Sequence, residues 1–137
     1  MRLSKRRQYG LKAVVYLAAR TENGYVQARE IAQQEALPGK FLESILLALR
    51  TAEVLHSKVG VGGGYRLARD PGQIQVAEVL RVLDGTTDES VPPSTPPTVG
   101  DQALESLRRE LHEALDDAIG NLTLDDLTGR PASGAPS

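Results

Sequence analysis

Cysteine is absent from all 137 residues. With it go disulfides, thiol nucleophiles, Cys-ligated zinc and ordinary iron–sulfur ligation. Tryptophan is absent as well, phenylalanine and methionine occur once each, and tyrosine four times. A core must therefore be built from Leu, Val, Ile and Ala. His56 and His112 are the only imidazoles, so a metal site would rest mainly on carboxylates, and no metal or cofactor is expected. No run of about 18 apolar residues exists, which argues against a membrane span. The basic start, Lys5, Arg6 and Arg7, is not followed by the apolar run and small-residue cleavage site of a signal peptide, so a cytoplasmic location is the expectation. No Gly-Lys-Ser or Gly-Lys-Thr phosphate loop occurs, nor a Ser–His–acid grouping with structural context. No catalytic residues are predicted, and the chain is not expected to be an enzyme.

What the chain does have is an uneven charge. The whole carries a formal net charge of −2. Residues 1–69 hold twelve Lys or Arg against five Glu, a net of +7, and the remainder holds four Arg against thirteen acids, a net of −9. A basic front and an acidic rear suit a polyanion-binding half followed by a solvated or partner-binding half. Chance scatter of surface charge is the alternative.

Hydrophobic residues are 40% of the chain, adequate for one core plus an appendage. Tyr9 to Ala19 is apolar on nearly every side and reads as a buried helix. Lys5, Arg6 and Arg7 stand at its N-terminal end, where cations oppose the helix dipole unless an outside anion answers them. Asn23-Gly24 is a turn, and Tyr25-Val26 a short strand. A helix over roughly Ala28 to Glu35 follows, then the break Ala36-Leu37-Pro38-Gly39. A second helix runs to about Thr51, with Phe41, Leu42, Ile45, Leu46 and Leu49 as its predicted core face. Two short helices across a tight turn make a helix-turn-helix outline. Leu55 to Val59, a glycine tip, and Tyr65 to Leu67 read as a hairpin, or wing. Asp70-Pro71-Gly72 turns the chain into a helix at Val76 to Asp84, with Val76, Val79, Leu80 and Leu83 inward.

Composition shifts at Gly85. Residues 85–100 hold four prolines and read as a loop. From Asp101 to about Asn121 an amphipathic helix carries Leu104, Leu107, Leu111, Leu115, Ile119 and Leu122 on one side. Leu124 to Leu127 adds a turn, and residues 129–137 read as a disordered tail. The expected organisation is a winged helix-turn-helix at 1–84, a loop at 85–100, a dimerisation helix with its final turn at 101–128, and the tail. The fold class is mainly α with a small β-hairpin wing. Pairing the apolar stripe with a second copy is the economical way to bury it. Folding back on its own domain is the alternative.

The second helix of such a motif must present side chains at its N-terminal end to base edges. Removing the predicted core face leaves Lys40, Glu43, Ser44 and Leu47, with Pro38 and Gly39 at the tip. Lys40 suits phosphate or guanine, Ser44 a base or the backbone, and Glu43 the amino group of cytosine. Ordinary solvated helix residues would look the same. Gly60, Gly62, Gly63 and Gly64 let the wing approach a sugar–phosphate backbone closely, with Lys58 and Arg66 beside it. A plain hairpin turn is the alternative. A dinucleotide fingerprint starting at Gly60 would need glycine at the position of Tyr65. His112 is expected to pair with Asp116, four residues on, and His56 to be a phosphate or surface group.

The order of MRLS and a basic pair before Tyr9, EIA at 30–32, FLESIL at 41–46, LR at 49–50 and GGGYRLA at 62–68 resembles the IscR-type regulators of the Rrf group. The resemblance is in register over about residues 1–84 and continues as architecture through LTLDDL at 122–127. It implies a winged-helix homodimer with a long crossing helix, binding near-palindromic double-stranded DNA, usually as a repressor. It matches Glu43 to a base-reading glutamate, and Arg2, Lys5 and the glycine wing to backbone contacts. Arg6, Arg7 and Tyr65 complete the candidate DNA-binding set. Two departures stand out. Val59 occupies a place where arginine is common, and the cysteines of cluster-binding members are missing. The resemblance is thus to a cluster-free member, controlled by an effector or a regulatory protein. A protein-interaction adaptor of the same fold, without DNA binding, is the competing function.

Overall fold

The computed structural model describes residues 3–20, 24–83 and 96–128. Arg2, Asn23, most of the proline-rich loop and the predicted tail lie outside the described residues. The first helix, α1 (Lys5–Ala19), starts four residues before the apolar run because Ser4 caps it, accepting from the Arg7 amide at 3.2 Å. Lys5, Arg6 and Arg7 therefore form its first turn, which contains no acid. Gly10, Ala13, Val14 and Leu17 face the core.

The next two helices, α2 (Ala28–Glu35) and α3 (Gly39–Thr51), fall where the sequence puts them. Ala36 closes α2 in a left-handed conformation, φ 55° and ψ 51°, and its amide donates to Ala32. Leu42, Ile45, Leu46 and Leu49 of α3 are buried. Phe41 is not: it is 65% exposed, contrary to its predicted core placement. Consecutive helical residues stand about 100° apart, so Phe41 is at the edge of the stripe that Leu42 begins.

Strands β1 (Leu55–Lys58) and β2 (Gly64–Leu67) form an antiparallel hairpin with Leu55 opposite Leu67 and Lys58 opposite Gly64. Val26 adds a single bridge to Tyr65, each amide donating to the other's carbonyl at 2.8 Å. A 3-10 turn at Pro71–Gln73 leads to α4 (Val76–Val82), and Val76, Val79, Leu80 and Leu83 are buried as expected. These elements make a winged helix-turn-helix, mainly helical with one small hairpin.

Helix α5 (Val99–Ile119) opens on a capping box that the loop-like sequence hid. Thr98 Oγ1 accepts from the Asp101 amide at 3.0 Å, and Asp101 Oδ2 from the Thr98 amide at 2.8 Å. Its second half docks on α4, where Leu115 is buried and Arg81 pairs with Asp116 at 2.7 Å. Residues 122–124 then run beside residues 74–76. The Val76 amide donates to Leu122 at 2.9 Å, and the Leu124 amide to Ile74 at 3.0 Å. Helix α6 (Leu124–Thr128) follows against α1, with Leu124 wholly buried. The rear segment, expected as a dimerisation unit, thus also supplies part of the front unit's core.

One polar cluster pins α1 to α2. The Tyr16 hydroxyl donates to Glu30 Oε2 at 2.6 Å, and Arg20 Nη1 to the same oxygen at 2.7 Å. Donating to that carboxylate favours the neutral phenol, so Tyr16 titrates above its ordinary range, with burial adding to the rise and Arg20 opposing it.

Candidate nucleic-acid interface

Pro38 ends the inter-helix turn in an extended conformation and starts α3 without a side-chain cap. The first amides of α3 therefore have no side-chain partner, and Pro38, Gly39 and Lys40 are all exposed. Such an end favours an anion. Glu43, Ser44 and Leu47 continue the exposed face, with Leu47 at 50% exposure. These are the residues left after the core stripe is subtracted, and the structure brings them together along one side of one helix.

The basic start of α1 lies against this face. Arg6 Nη1 reaches Ser44 Oγ at 3.4 Å, a weak hydrogen bond that fixes the neighbourhood, and Lys5 is exposed. Arg7 has a different task. Its Nε donates to the Leu80 carbonyl at 3.0 Å, one of the last α4 carbonyls that no helical amide can reach. Candidate Arg7 is therefore a strut between α1 and α4. On the other flank of α3, Arg29, Gln33 and Glu43 rim a shallow groove of about 280 Å³ with Ala28, Ala32, Leu37 and Gly39. Arg29 and Gln33 were missed in the sequence, since polar residues on a predicted helix carry no signal of which neighbour they face.

The wing glycines divide by cause. Gly60 and Gly62 have φ of 94° and 74° with open space around them, so the exposed tip needs their backbone freedom. Gly63 answers to packing, and Gly64, with φ of 137°, to packing and backbone freedom together. A Cβ on Gly63 would lie 2.2 Å from the Lys58 carbonyl oxygen, and one on Gly64 would lie 2.3 Å from that of Val26. Tyr65 is half-buried and joined to Val26 through its backbone, which makes it a wing anchor. Val59 and Val61 at the tip are fully exposed. Lys58 Nζ stands 5.9 Å, and the Arg66 guanidinium 4.9 Å, from the centroid of the Tyr25 ring. Cations so placed are attracted by the ring face. Tyr25, read in the sequence only as strand, holds both wing cations beside the start of α2.

The apolar stripe of α5 is split. Leu104, Leu107 and Leu111 are 58%, 51% and 47% exposed, and Val99 at the helix start is exposed as well. Leu115, Ile119 and Leu122 turn instead to the chain's own core. The alternative of folding back on the chain's own domain is thus realised by the second half of the helix alone, and the first half stays exposed. Asp116 pairs with Arg81 across to α4, a partner more than thirty residues away that helical spacing cannot reveal.

An iron–sulfur cluster does not fit these donors. The chain has no thiolate, and His56 and His112 stand on different elements, β1 and α5. Among the described residues, no three His, Asp or Glu gather closely enough to hold a metal ion. Among them too, no helix is long and apolar enough to cross a membrane.

Residues 3–130 match the Rrf2 family, described as an iron-dependent transcriptional regulator. An HTH-type transcriptional regulator of Synechocystis is 35% identical over 133 residues, covering 93% of this chain and 87% of the relative. The HTH-type transcriptional regulator IscR of Cronobacter sakazakii is 32% identical over 129 residues, covering 93% and 80%. Among solved structures, CymR, the global cysteine regulator of B. subtilis, superposes with a TM-score of 0.68 at 28% identity, covering 93% of this chain and 96% of that one. IscR of T. potens gives 0.64 at 31% identity, covering 93% and 85%.

Proposed function

Since this chain belongs to the Rrf2 family of transcriptional regulators, we propose that it binds a near-palindromic operator as a cluster-free homodimer and represses the promoter it covers. It is a DNA-binding regulator and not an enzyme. The observation that carries the docking mode is the exposed outer face of α3, uncapped at its N-terminus, with the basic first turn of α1 drawn against it through Arg6 and Ser44. A helix presented this way fits the major groove with its N-terminal residues at the base edges. In this reading Glu43 accepts from cytosine, Lys40 and Ser44 meet a base or phosphate, and Arg2, Lys5, Arg6 and Lys58 neutralise phosphates. Leu104, Leu107 and Leu111 pair two copies, which sets two α3 helices roughly 34 Å apart or a multiple of it. Bound promoter DNA is closed to polymerase, hence repression in the cytoplasm. With no thiolate for a cluster, control passes to an effector or a regulatory protein.

The test is selection of duplexes from a random pool, followed by affinity measured across salt. Phosphate contacts release counterions, so log K falls linearly with log salt. Glu43→Ala should change which sequence is enriched and leave the salt slope alone. Lys5→Ala should weaken every sequence alike and flatten the slope by about one unit per protomer. Enrichment of no sequence, with affinity indifferent to salt, would return the molecule to the adaptor reading.

A further inference from the structure

We infer that Phe41 reads thymine, packing its ring on the 5-methyl group of a base in each half-site; this rests on the DNA-binding reading above. Phe41 is the chain's only phenylalanine, it sits in the first turn of α3, and it is 65% exposed. Helical Cα–Cβ bonds tilt toward the N-terminus, so a first-turn side chain leans out past the tip of the helix, the end presented to base edges.

Its surroundings select the occupant. Lys40 precedes it, Ser44 follows one turn on, and Ser44 is the residue that Arg6 of the basic α1 turn touches. Lys5 and Lys40 are exposed nearby on the same two elements. An apolar partner protein would have to strip water from these cations, whereas a polyanion satisfies them and still offers an apolar spot. Thymine supplies that spot as the methyl group in the major groove, a contact phenylalanine is suited to make. The polar side chains of this face, Lys40, Glu43 and Ser44, can reach donors and acceptors, and none of them can sense a methyl group. Leu47, the other exposed apolar side chain of the face, stands nearly two turns further from the tip, so Phe41 supplies the apolar contact at the end presented to base edges.

Deoxyuridine differs from thymidine only by this methyl, which makes it the probe. In a duplex enriched by the wild-type protein, thymines are replaced by deoxyuridine one symmetric pair at a time, and affinity is measured at fixed salt. The expected result is one sensitive pair of positions, with about a four-fold loss for each methyl removed. Phe41→Ala should abolish that sensitivity while keeping the wild-type salt slope, melting temperature and dimer dissociation constant. A wild-type protein indifferent to every replacement overturns the inference, as does a Phe41→Ala protein equally sensitive at the same positions. A Phe41→Ala protein that dimerises poorly and keeps its base preference places the ring against a second copy and also overturns it. Failure to enrich any duplex is a different result: it removes the DNA-binding reading, and this inference with it.

Discussion

Gly10 and Ala36 show how single backbone positions set the helix-turn-helix. A Cβ built on Gly10 would stand 1.9 Å from Leu83 Cδ1 and 3.3 Å from Ile45 Cγ2. Leu83 is itself wholly buried, so moving its methyl aside means repacking the core around it. Gly10→Ala should therefore destabilise the protein by about 1–3 kcal/mol, seen as a lower urea midpoint at unchanged slope. Ala36 poses the opposite case. Its φ of 55° costs an L-residue about 1–2 kcal/mol, and a glycine there gives back about 0.4–1 kcal/mol through its freer unfolded chain. Ala36→Gly should raise stability by up to about 1 kcal/mol, measured as a higher melting temperature. Neither position announces itself in the sequence. Gly10 lies in an apolar helix that looks continuous, and the Ala36-Leu37-Pro38-Gly39 break offers two other residues that could carry the turn. Phe41 was misplaced for a related reason: periodicity tells which residues share a side, and the edge of that side is decided by what packs there.

At the scale of elements, helices α2, α3 and α4 and the hairpin were legible because each pairs an apolar period with a stop signal. The α2–α3 break has Pro38 and the wing has its glycines, and both fall within a residue or so of their expected limits. The exposed α3 face followed by subtraction, and the structure gathers it on one side of the helix. What stayed hidden are contacts between distant segments. Arg7 and Leu80 are 73 residues apart, and Arg81 and Asp116 are 35 apart. Residues 122–124 bond along residues 74–76, and Leu124 plugs the core below α1. A short DD-containing stretch after a glycine looks like a spent helix end, yet it is the clasp that returns α5 to the domain. Leu124→Ala should cost about 2–5 kcal/mol of unfolding free energy. Leu104→Ala, on the exposed half of α5, should leave the unfolding of the isolated chain nearly unchanged. Denaturant titration at a concentration low enough to keep the protein monomeric makes the comparison. Equal losses at the two positions would contradict the division of the helix.

On the scale of the whole molecule, the same division decides how two copies would meet in the proposed homodimer. The acidic rear half is poorly suited to DNA, and its helix points one apolar stretch inward and another outward. Only the outward stretch, from Val99 through Leu111, is free to seek a partner. Leu115, at 8% exposure, is committed to the chain's own core beside the Arg81–Asp116 pair. Aspartate at these two positions should therefore fail in different ways. Leu111→Asp puts a charge into the proposed seam between copies, so sedimentation should show folded monomers with a wild-type circular dichroism spectrum. Those monomers should bind single half-sites weakly, since the second α3 no longer adds its contacts. Leu115→Asp instead buries an unpaired carboxylate in the domain, which costs several kcal/mol and should lower the melting temperature even of monomeric protein. A folded Leu111→Asp protein that remains dimeric would shift the seam to another surface. A Leu115→Asp protein that melts as wild type but no longer dimerises would mean that the second half of α5 leaves the domain when two copies associate.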